Sequence, residues 1–212
     1  MKNKLRIALI STGTVLILSA LFLCLYNISE NKRAYRESES TLAQLKSVIP
    51  EPVITTKTLT TTEPDLYAQY ETVTTAVPEN ITIDLDGILY CGYLSLPSLG
   101  IELPVANEFS YPALKTSPCL YSGTVAGEDL VIAAHNYNSH FGRIKELTNG
   151  DEIIFTDCSG IKNNYTVISS ESIDGTDISS MLNGNGTDWQ LTLFTCDLSG
   201  KARITIRAEL KK

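Results

Sequence analysis

The chain has 212 residues, a formal net charge of -7 at pH 7 and a pI near 4.9. This acidic balance argues against a nucleic-acid-binding protein, which usually carries a basic face. The hydrophobic fraction of 43% is enough for a core, and the length allows one ordinary domain with additional segments or two small domains.

An uncharged apolar run extends from Ile7 to Tyr26, behind a basic tip. A run of about 20 residues has the length of a membrane-spanning helix. A cleaved signal peptide has a shorter apolar region, about 7–15 residues, followed by a small-residue cleavage site. We therefore expect residues 1–28 to form a tip and an uncleaved transmembrane anchor. Basic residues are nearly equal in number on the two sides of the run, so charge alone does not orient the chain.

Residues 29–80 have the composition of a stalk. Residues 30–48 are charged and could continue as a helix, and the following segment is rich in Thr and Pro with few large apolar side chains. Such a composition buries too little surface to offset the entropy of ordering the chain, and extracellular Thr/Pro stretches often serve as spacers. We interpret residues 29–80 as a linker that contributes nothing to the core.

Residues 81–212 are predicted to be the folded domain, because short β-type runs separated by turn residues begin at about Ile81. Six or more such runs at roughly regular spacing favour an antiparallel sandwich or barrel. The first, GILYCGYLSLPSLGIELPV, contains two strands around a turn at Pro97. Helical turns are predicted within HFGRIKELTNG and DISSMLN. The further strands are DLVIAAH, DEIIFTD, NNYTVISSESI, WQLTLFTC and ARITIRAEL.

Cys196 ends the apolar strand LTLFTC, and a turn containing Ser-Gly-Lys leads into the strand ARITIRAEL. If this hairpin closes symmetrically, Cys196 lies directly opposite Arg203, with Cβ atoms about 4.5–5.5 Å apart. Arg207 then lies opposite Thr192, one step deeper. Local geometry therefore predicts Arg203 as the companion of the cysteine.

The chain has two histidines. His135 follows the apolar strand DLVIAA, while His140 lies in the polar segment NYNSHFGR. A histidine at a strand end can pair with a cysteine as a base or as an imidazolium. Taken singly, His135 is better explained as the partner of a buried carbonyl, and Cys196 as a residue that fills core volume. Together with the opposed Arg203, the two residues favour a catalytic site.

These residues resemble the sortases, the membrane-anchored cysteine transpeptidases of Gram-positive surfaces. The segment TLFTC (192–196) is similar to the TLxTC signature, and Arg203 before ITIRAEL is similar to the arginine strand of that family. The segment VIAAHN is similar to the V-(I/L)-A-G-H motif, with Ala134 where the family usually has glycine. The resemblance covers roughly Gly87 to Leu210, with the motifs in the order typical of the family.

The resemblance implies a fold and a set of roles. The fold is mainly β: a closed barrel of about eight strands with short helices, in which the cysteine strand lies between the histidine and arginine strands. Cys196, His135 and Arg203 would be catalytic, and Thr195 would line the substrate and oxyanion region. No metal or organic cofactor is required. Asp174 and Asp177 occupy a loop of the kind that holds calcium in some sortases, although loop acids are usually only solvated.

The resemblance also implies partners and a location. The substrates would be secreted proteins that carry an LPxTG-like sorting signal, and the acceptor would be an amine of a peptidoglycan precursor or of a pilin. The protein would be single-pass in the cell membrane, with its N-terminus cytoplasmic and residues 81–212 outside the cell. The sortase class stays open, since HNYNSHFG is only faintly similar to class B.

Two other functions are compatible with the residues. One is a different cell-wall cysteine enzyme, although the S-x-G-C box of L,D-transpeptidases is missing and papain-like wall hydrolases place cysteine before histidine. The other is a non-catalytic surface module on a stalk. The five cysteines are irregularly spaced, so no disulfide is predicted.

Overall fold

The computed structural model describes residues 2–50, 80–127, 129–182 and 189–211. The described chain begins with the 47-residue helix α1 (Lys2–Val48), and its later part is dominated by strands. A short helix α2 spans Tyr111–Leu114, and 3₁₀ turns span Pro97–Leu99, Phe141–Glu146 and Ser179–Met181. The strands are β1 (Ile83–Leu85), β2 (Ile88–Leu96), β3 (Ile101–Ala106), β4 (Cys119–Ser122), β5 (Leu130–Ala133), β6 (Glu152–Asp157), β7 (Lys162–Asp174), β8 (Leu191–Cys196) and β9 (Ala202–Leu210).

Eight of these strands close into a barrel. Their order is β2-β3-β4-β5-β8-β9-β7-β6, and β6 pairs back onto β2, while β1 is attached outside the ring through β2. The predicted closed barrel of about eight strands is thus confirmed. Two of the pairings, β3–β4 and β5–β8, are parallel, so the sheet is mixed rather than purely antiparallel. Closure pairs the backbone groups that an open sheet would leave exposed at its edges.

The strand that ends at Cys196 is buried on both of its faces. Leu191 and Leu193 point into the barrel core with residues such as Phe155 and Tyr165. Phe194 points outward into a second cluster, where Met181 from the segment after β7 packs on it. Burial on both faces explains why LTLF reads as a continuous apolar run rather than as an alternating pattern.

The N-terminal part of α1 is apolar and exposed on all sides. Its most apolar 18-residue window has a mean hydropathy of 2.1, and large side chains such as Ile7 and Phe22 are 67% and 68% exposed. Among the described residues, α1 is the one helix long and apolar enough to cross a membrane. A helix that is apolar all round and unburied suits a lipid environment.

The C-terminal part of α1 differs from the expected stalk. Buried residues recur at helical spacing along it: Ala34 is 2% exposed, Ser38 3% and Leu45 0%. Leu45 joins an apolar cluster with Tyr90 of β2, and Lys46 forms an ion pair with Glu102. Residues 31–48 therefore pack against the barrel and contribute to a core, contrary to the linker interpretation for this part. The Thr/Pro-rich residues 51–79 lie outside the described residues.

Candidate active site

The β8–β9 hairpin has the symmetric register predicted from the sequence. Cys196 pairs directly with Arg203, and Thr192 pairs with Arg207. The turn is closed at its base, where the Asp197 amide donates to the Ala202 carbonyl at 3.0 Å and the Ala202 amide donates to the Asp197 carboxylate at 3.1 Å. The register between Leu191 and Cys196 contains no bulge, so the cysteine and Arg203 are fixed as cross-strand neighbours.

The parallel β5–β8 pairing brings the histidine strand to the other side of the cysteine. The ladder runs to Ala133 opposite Phe194, and the Ala134 amide donates to the Phe194 carbonyl at 3.2 Å. The hydroxyl of Thr195 donates to the Ala134 carbonyl at 2.8 Å. Continuing this register by two residues would place His135 beside Cys196. The sequence-predicted residues His135, Cys196 and Arg203 therefore lie at the same end of three adjacent strands, β5, β8 and β9.

Thr195 is 3% exposed, and its hydroxyl proton is used in the bond to Ala134. This bond holds the end of β5 against β8. Its direct effect is therefore on the position of the strand end from which His135 emerges, and contact with a substrate stays a prediction.

Cys196 is an exposed free thiol at the rim of a cavity of about 490 Å³. Polar side chains from the segment after His135 line this cavity, with Asn136 and Asn138 among them. Lys145 from the following 3₁₀ turn contributes a positive charge, and Asp197 a negative one.

His135 lines a neighbouring cavity of about 680 Å³ that shares Asn136 and Asn138 with the first. Its other walls are the turn of α1 around Glu30 and the side chain of Lys115. Partial burial, and secondarily the charge of Lys115, lower the pKa of His135 below its ordinary value. The neutral imidazole is therefore the favoured form at neutral pH, and an imidazolium formed there releases its proton readily.

The segment from His135 to Gly142 forms a compact closed loop, called the histidine loop below. The Phe141 amide donates to the His135 carbonyl at 3.2 Å, which brings the two ends of the loop together. The amides of His140 and Gly142 both donate to the Tyr137 carbonyl at 2.9 Å. The Tyr137 ring stands between the two imidazoles, with centroids 5.1 Å from His135 and 5.5 Å from His140.

His140 is fully buried beneath α1, so it is not available to a substrate in this arrangement. Neither ring nitrogen has a hydrogen-bond partner among the described residues. Burial, and secondarily the neighbouring His135, lower the pKa of His140 to about 4. His140 is therefore neutral at physiological pH, and its ring serves as a packing element of the histidine loop.

The two candidate arginines have different surroundings. The Nη1 of Arg203 donates to the carbonyls of Gly200 and Ala202, each at 3.1 Å, so its guanidinium folds onto the hairpin turn next to Cys196. The Nη2 of Arg207 donates to the Ser180 carbonyl at 2.9 Å, and its guanidinium lies 4.3 Å from the centroid of the Trp189 ring. The side chain of Arg207 is 15% exposed. Arg207 therefore holds the segment between β7 and β8, and Arg203 is the arginine whose backbone pairs with Cys196.

Aromatic residues that sequence reasoning did not identify extend from the cysteine strand. Phe194 shares a strand face with Cys196, and its ring contacts Tyr121 edge-to-face at 5.2 Å. Tyr121 contacts Phe109 in the same way at 5.4 Å. These residues come from three separate parts of the chain, so no local sequence pattern predicts that their rings are in contact. Asn136 and Asn138 were also not identified, although their positions in the polar segment after His135 were a local signal.

The other cysteines and the acidic loop have structural explanations. Cys91, Cys119 and Cys158 are buried free thiols, and burial raises the pKa of Cys119 and of Cys158 to about 11. Asp174 accepts hydrogen bonds from Thr176, and Asp177 accepts them from the serines that follow it. Within the part of the chain that the structure describes, no cluster of three or more His, Cys, Asp or Glu residues suits a metal ion.

The comparisons with known proteins agree with this arrangement. The family model described as Sortase domain matches residues 94–211, more than half of the chain. No curated protein matches in sequence. Solved structures with the same fold include sortase C from Clostridium perfringens SM101, with 24% identity over 58% of this chain and 70% of that chain and a TM-score of 0.51.

Two further solved structures are similar at the level of the fold. Sortase A from Corynebacterium diphtheriae has 18% identity over 59% of this chain and 62% of that one, with a TM-score of 0.53. A Clostridium perfringens sortase D5 transpeptidase has 22% identity over 58% and 79%, with a TM-score of 0.51. The three carry different class letters at nearly equal similarity, so the likeness does not assign a class to this chain.

Proposed function

Because the chain belongs to the sortase family, we propose that it is a membrane-anchored cysteine transpeptidase that joins secreted proteins to an amine at the cell surface. One observation carries the proposal. The residue that carries the exposed free thiol, Cys196, pairs directly with Arg203, and His135 follows two residues after the end of the adjoining strand β5. Acyl transfer through a thioester requires a nucleophile, a group that carries protons, and paired hydrogen-bond donors such as those of a guanidinium.

In the first half of the reaction, neutral His135 takes the proton of the Cys196 thiol, and the thiolate attacks the carbonyl carbon of a peptide bond in an LPxTG-like sorting signal. A C–S bond forms, and the carbonyl electron pair moves onto oxygen. Arg203 turns from its own hairpin carbonyls to donate hydrogen bonds to this oxyanion, a task suited to a planar guanidinium. Thr195 belongs to the substrate-binding region, where it keeps β5 and β8 in register beneath the peptide.

In the second half, the oxyanion collapses and the C–N bond breaks. The His135 imidazolium gives its proton to the leaving amine, and a thioester on Cys196 remains. The acceptor amine of a peptidoglycan precursor or a pilin then attacks the thioester, and neutral His135 takes the proton that this amine loses. Collapse of the second tetrahedral intermediate makes the new amide and releases the thiolate. The cycle consumes no cofactor.

The cell membrane is the proposed location. The apolar part of α1 anchors the chain as a single span, the N-terminus is cytoplasmic, and the catalytic domain of residues 81–212 is outside the cell. The exposure of large apolar side chains along α1 supports this arrangement. Protease added to intact protoplasts should digest the chain beyond about residue 29, and full protection of the barrel would contradict it.

The experiment uses the full-length protein in detergent, a library of LPxTG-like fluorescent peptides and a set of primary amines. We expect amine-dependent transfer products and a peptide thioester on Cys196, detected by mass spectrometry. Cys196→Ala should lose both cleavage and transfer. Cys24→Ser, which changes the other exposed cysteine, should retain both.

The alternatives predict other results. Cleavage with water as the only acceptor would indicate a cell-wall cysteine peptidase of another kind. A non-catalytic surface module would form no thioester, and its Cys196 would react with thiol reagents no faster than an ordinary exposed cysteine.

A further inference from the structure

Helix α1 is fastened to the histidine loop just after its apolar stretch. The Ser139 hydroxyl lies 3.2 Å from the Asn31 side-chain oxygen and 3.5 Å from the Asn31 carbonyl oxygen. The Ser139 amide also donates to the Asn31 side-chain oxygen, at 3.4 Å. Each contact is long, but all three join one helix residue to one loop residue. They connect positions 108 apart in the sequence.

The helix turn that follows Asn31 lies over the loop. Ala34 is 2% exposed, and its backbone lies close to the ring of His140, which is 0% exposed. A buried imidazole without a hydrogen-bond partner among the described residues gains its stability from packing. Removing the helix would uncover this ring and free the loop that holds it.

Contacts within the histidine loop connect His135 to the part of the loop that α1 contacts. His135 and Phe141 are joined by a backbone hydrogen bond, and Tyr137 packs against both imidazoles. Asn31 itself lines the cavity into which His135 opens. Fixing Ser139 and His140 therefore limits where the imidazole of His135 can lie relative to Cys196.

We propose that the turn of α1 around Asn31 is a positioning element for His135, acting through Ser139. This inference rests on the proposed function, in which His135 carries the proton to and from the reacting amines. Asn31 and Ser139 are positioning residues, since the reaction scheme gives them no contact with the peptide. A displaced imidazole slows proton transfer but leaves the peptide-binding surface intact, so kcat rather than KM should respond.

The test compares Asn31→Ala and Ser139→Ala with Ser40→Ala in the full-length protein. Ser40 is an exposed polar residue of the same helix, away from the loop. Loss of one set of hydrogen bonds should lower kcat roughly threefold to tenfold, with KM for the peptide within about twofold. The double variant should be no worse than either single one, because both remove the same contact. Ser139→Thr keeps the hydroxyl and should restore most of the rate.

A second readout needs no peptide. The rate of Cys196 alkylation by iodoacetamide is measured against pH, with His135→Ala as the reference for a missing imidazole. The Asn31→Ala profile should move from the wild-type profile toward that of His135→Ala, while Ser40→Ala should match the wild type. A structural defect alone would lower the melting temperature without moving this profile.

The outcomes separate the two proposals. Wild-type kcat and an unmoved alkylation profile in Asn31→Ala would overturn the positioning role, as would a loss of kcat without any change in the profile. In both cases the dependence of transfer on His135 and Cys196 would stand. If His135→Ala itself kept full transfer activity, the proton-carrier assignment would fail, and the positioning role with it.

Discussion

Cys196 and Arg203 are direct cross-strand partners, whereas Arg207 is paired with Thr192, four residues deeper on β8. The deeper arginine is already engaged by the Ser180 carbonyl and the Trp189 ring. This difference predicts separate tasks for the two guanidinium groups: Arg203 acts on the oxyanion in the proposed reaction, and Arg207 holds the segment between β7 and β8.

The first prediction compares Arg203→Lys with Arg207→Lys. Arg203→Lys keeps the charge but loses the fork, and we expect kcat/KM to fall by about 10²–10³-fold, as for a lost oxyanion donor. Arg207→Lys should act mainly on KM and on the melting temperature, since its contacts hold the segment before β8. The measurement is steady-state kinetics of both variants on one sorting peptide. A larger loss of kcat at position 207 would show that the wrong arginine has been assigned.

The second prediction concerns Gly142. A Cβ atom there would lie 2.8 Å from the Tyr137 carbonyl oxygen and 3.0 Å from the Asn136 side-chain oxygen, closer than such contacts normally allow. Gly142→Ala must therefore shift the histidine loop. We expect a clear fall in kcat, of the order of a displaced catalytic group (about 10²-fold), with the circular dichroism spectrum of the barrel unchanged. Unchanged kcat in the folded variant would show that the loop tolerates displacement.

The third prediction tests the packing of α1 on the barrel. Leu45 is fully buried, while Val48 of the same helix is 57% exposed. Leu45→Ala should lower the free energy of unfolding by about 2–5 kcal/mol, the usual cost of a buried leucine truncation, and Val48→Ala should be nearly neutral. Thermal and denaturant unfolding of the full chain in detergent measure both. Equal stability of the two variants would restore the linker interpretation of residues 31–48.

The fourth prediction is a pH dependence of stability. The pKa of His140 is about 4 in the folded protein and about 6.5 when unfolded. The unfolded chain therefore binds the proton first, so this contribution is complete above about pH 6.5 and is lost as the pH falls toward 4.

Within that window the slope should approach about 1.4 kcal/mol per pH unit from this one group. The comparison is between the wild type and His140→Phe, so that contributions from all other groups are common to both proteins. The variant should lack this part of the slope in denaturant unfolding at pH 4 to 7. Identical slopes would mean that the ring is protonated without cost.

The hairpin was predictable because its register depends only on strand periodicity and turn length, both of which are local. A short polar turn joins the apolar strand LTLFTC to the alternating strand ARITIRAEL, and symmetric closure of this turn puts Cys196 opposite Arg203. Seven of the eight barrel strands followed from the same kind of pattern, whereas the short strand β4 (Cys119–Ser122) was not predicted. Barrel closure did not, because the β2–β6 pairing joins segments about sixty residues apart and depends on the curvature of the whole sheet.

The packing of α1 was missed for a different physical reason. Its contact stripe begins with Ala34 and Ser38, small side chains that carry little hydrophobic signal in a charged segment. Small residues allow a helix to approach a surface closely. The stripe that they form on α1 can be recognised as a contact face only when the barrel surface opposite it is known. The burial of His140 was hidden in the same way, since a polar stretch such as NYNSHFG reads as a solvated loop.

Because α1 is unbroken, it would set the distance between the membrane surface and the candidate active site. A bilayer around the apolar stretch would end near Tyr26, and Asn31 follows within about 8 Å of helix rise. Tyr26 and Asn31 line the same cavity as His135. In the proposed membrane arrangement, a helical spacer of this length would hold the reacting atoms close to the headgroups, and a donor or acceptor located far out in the wall would be beyond reach, however well its peptide fitted.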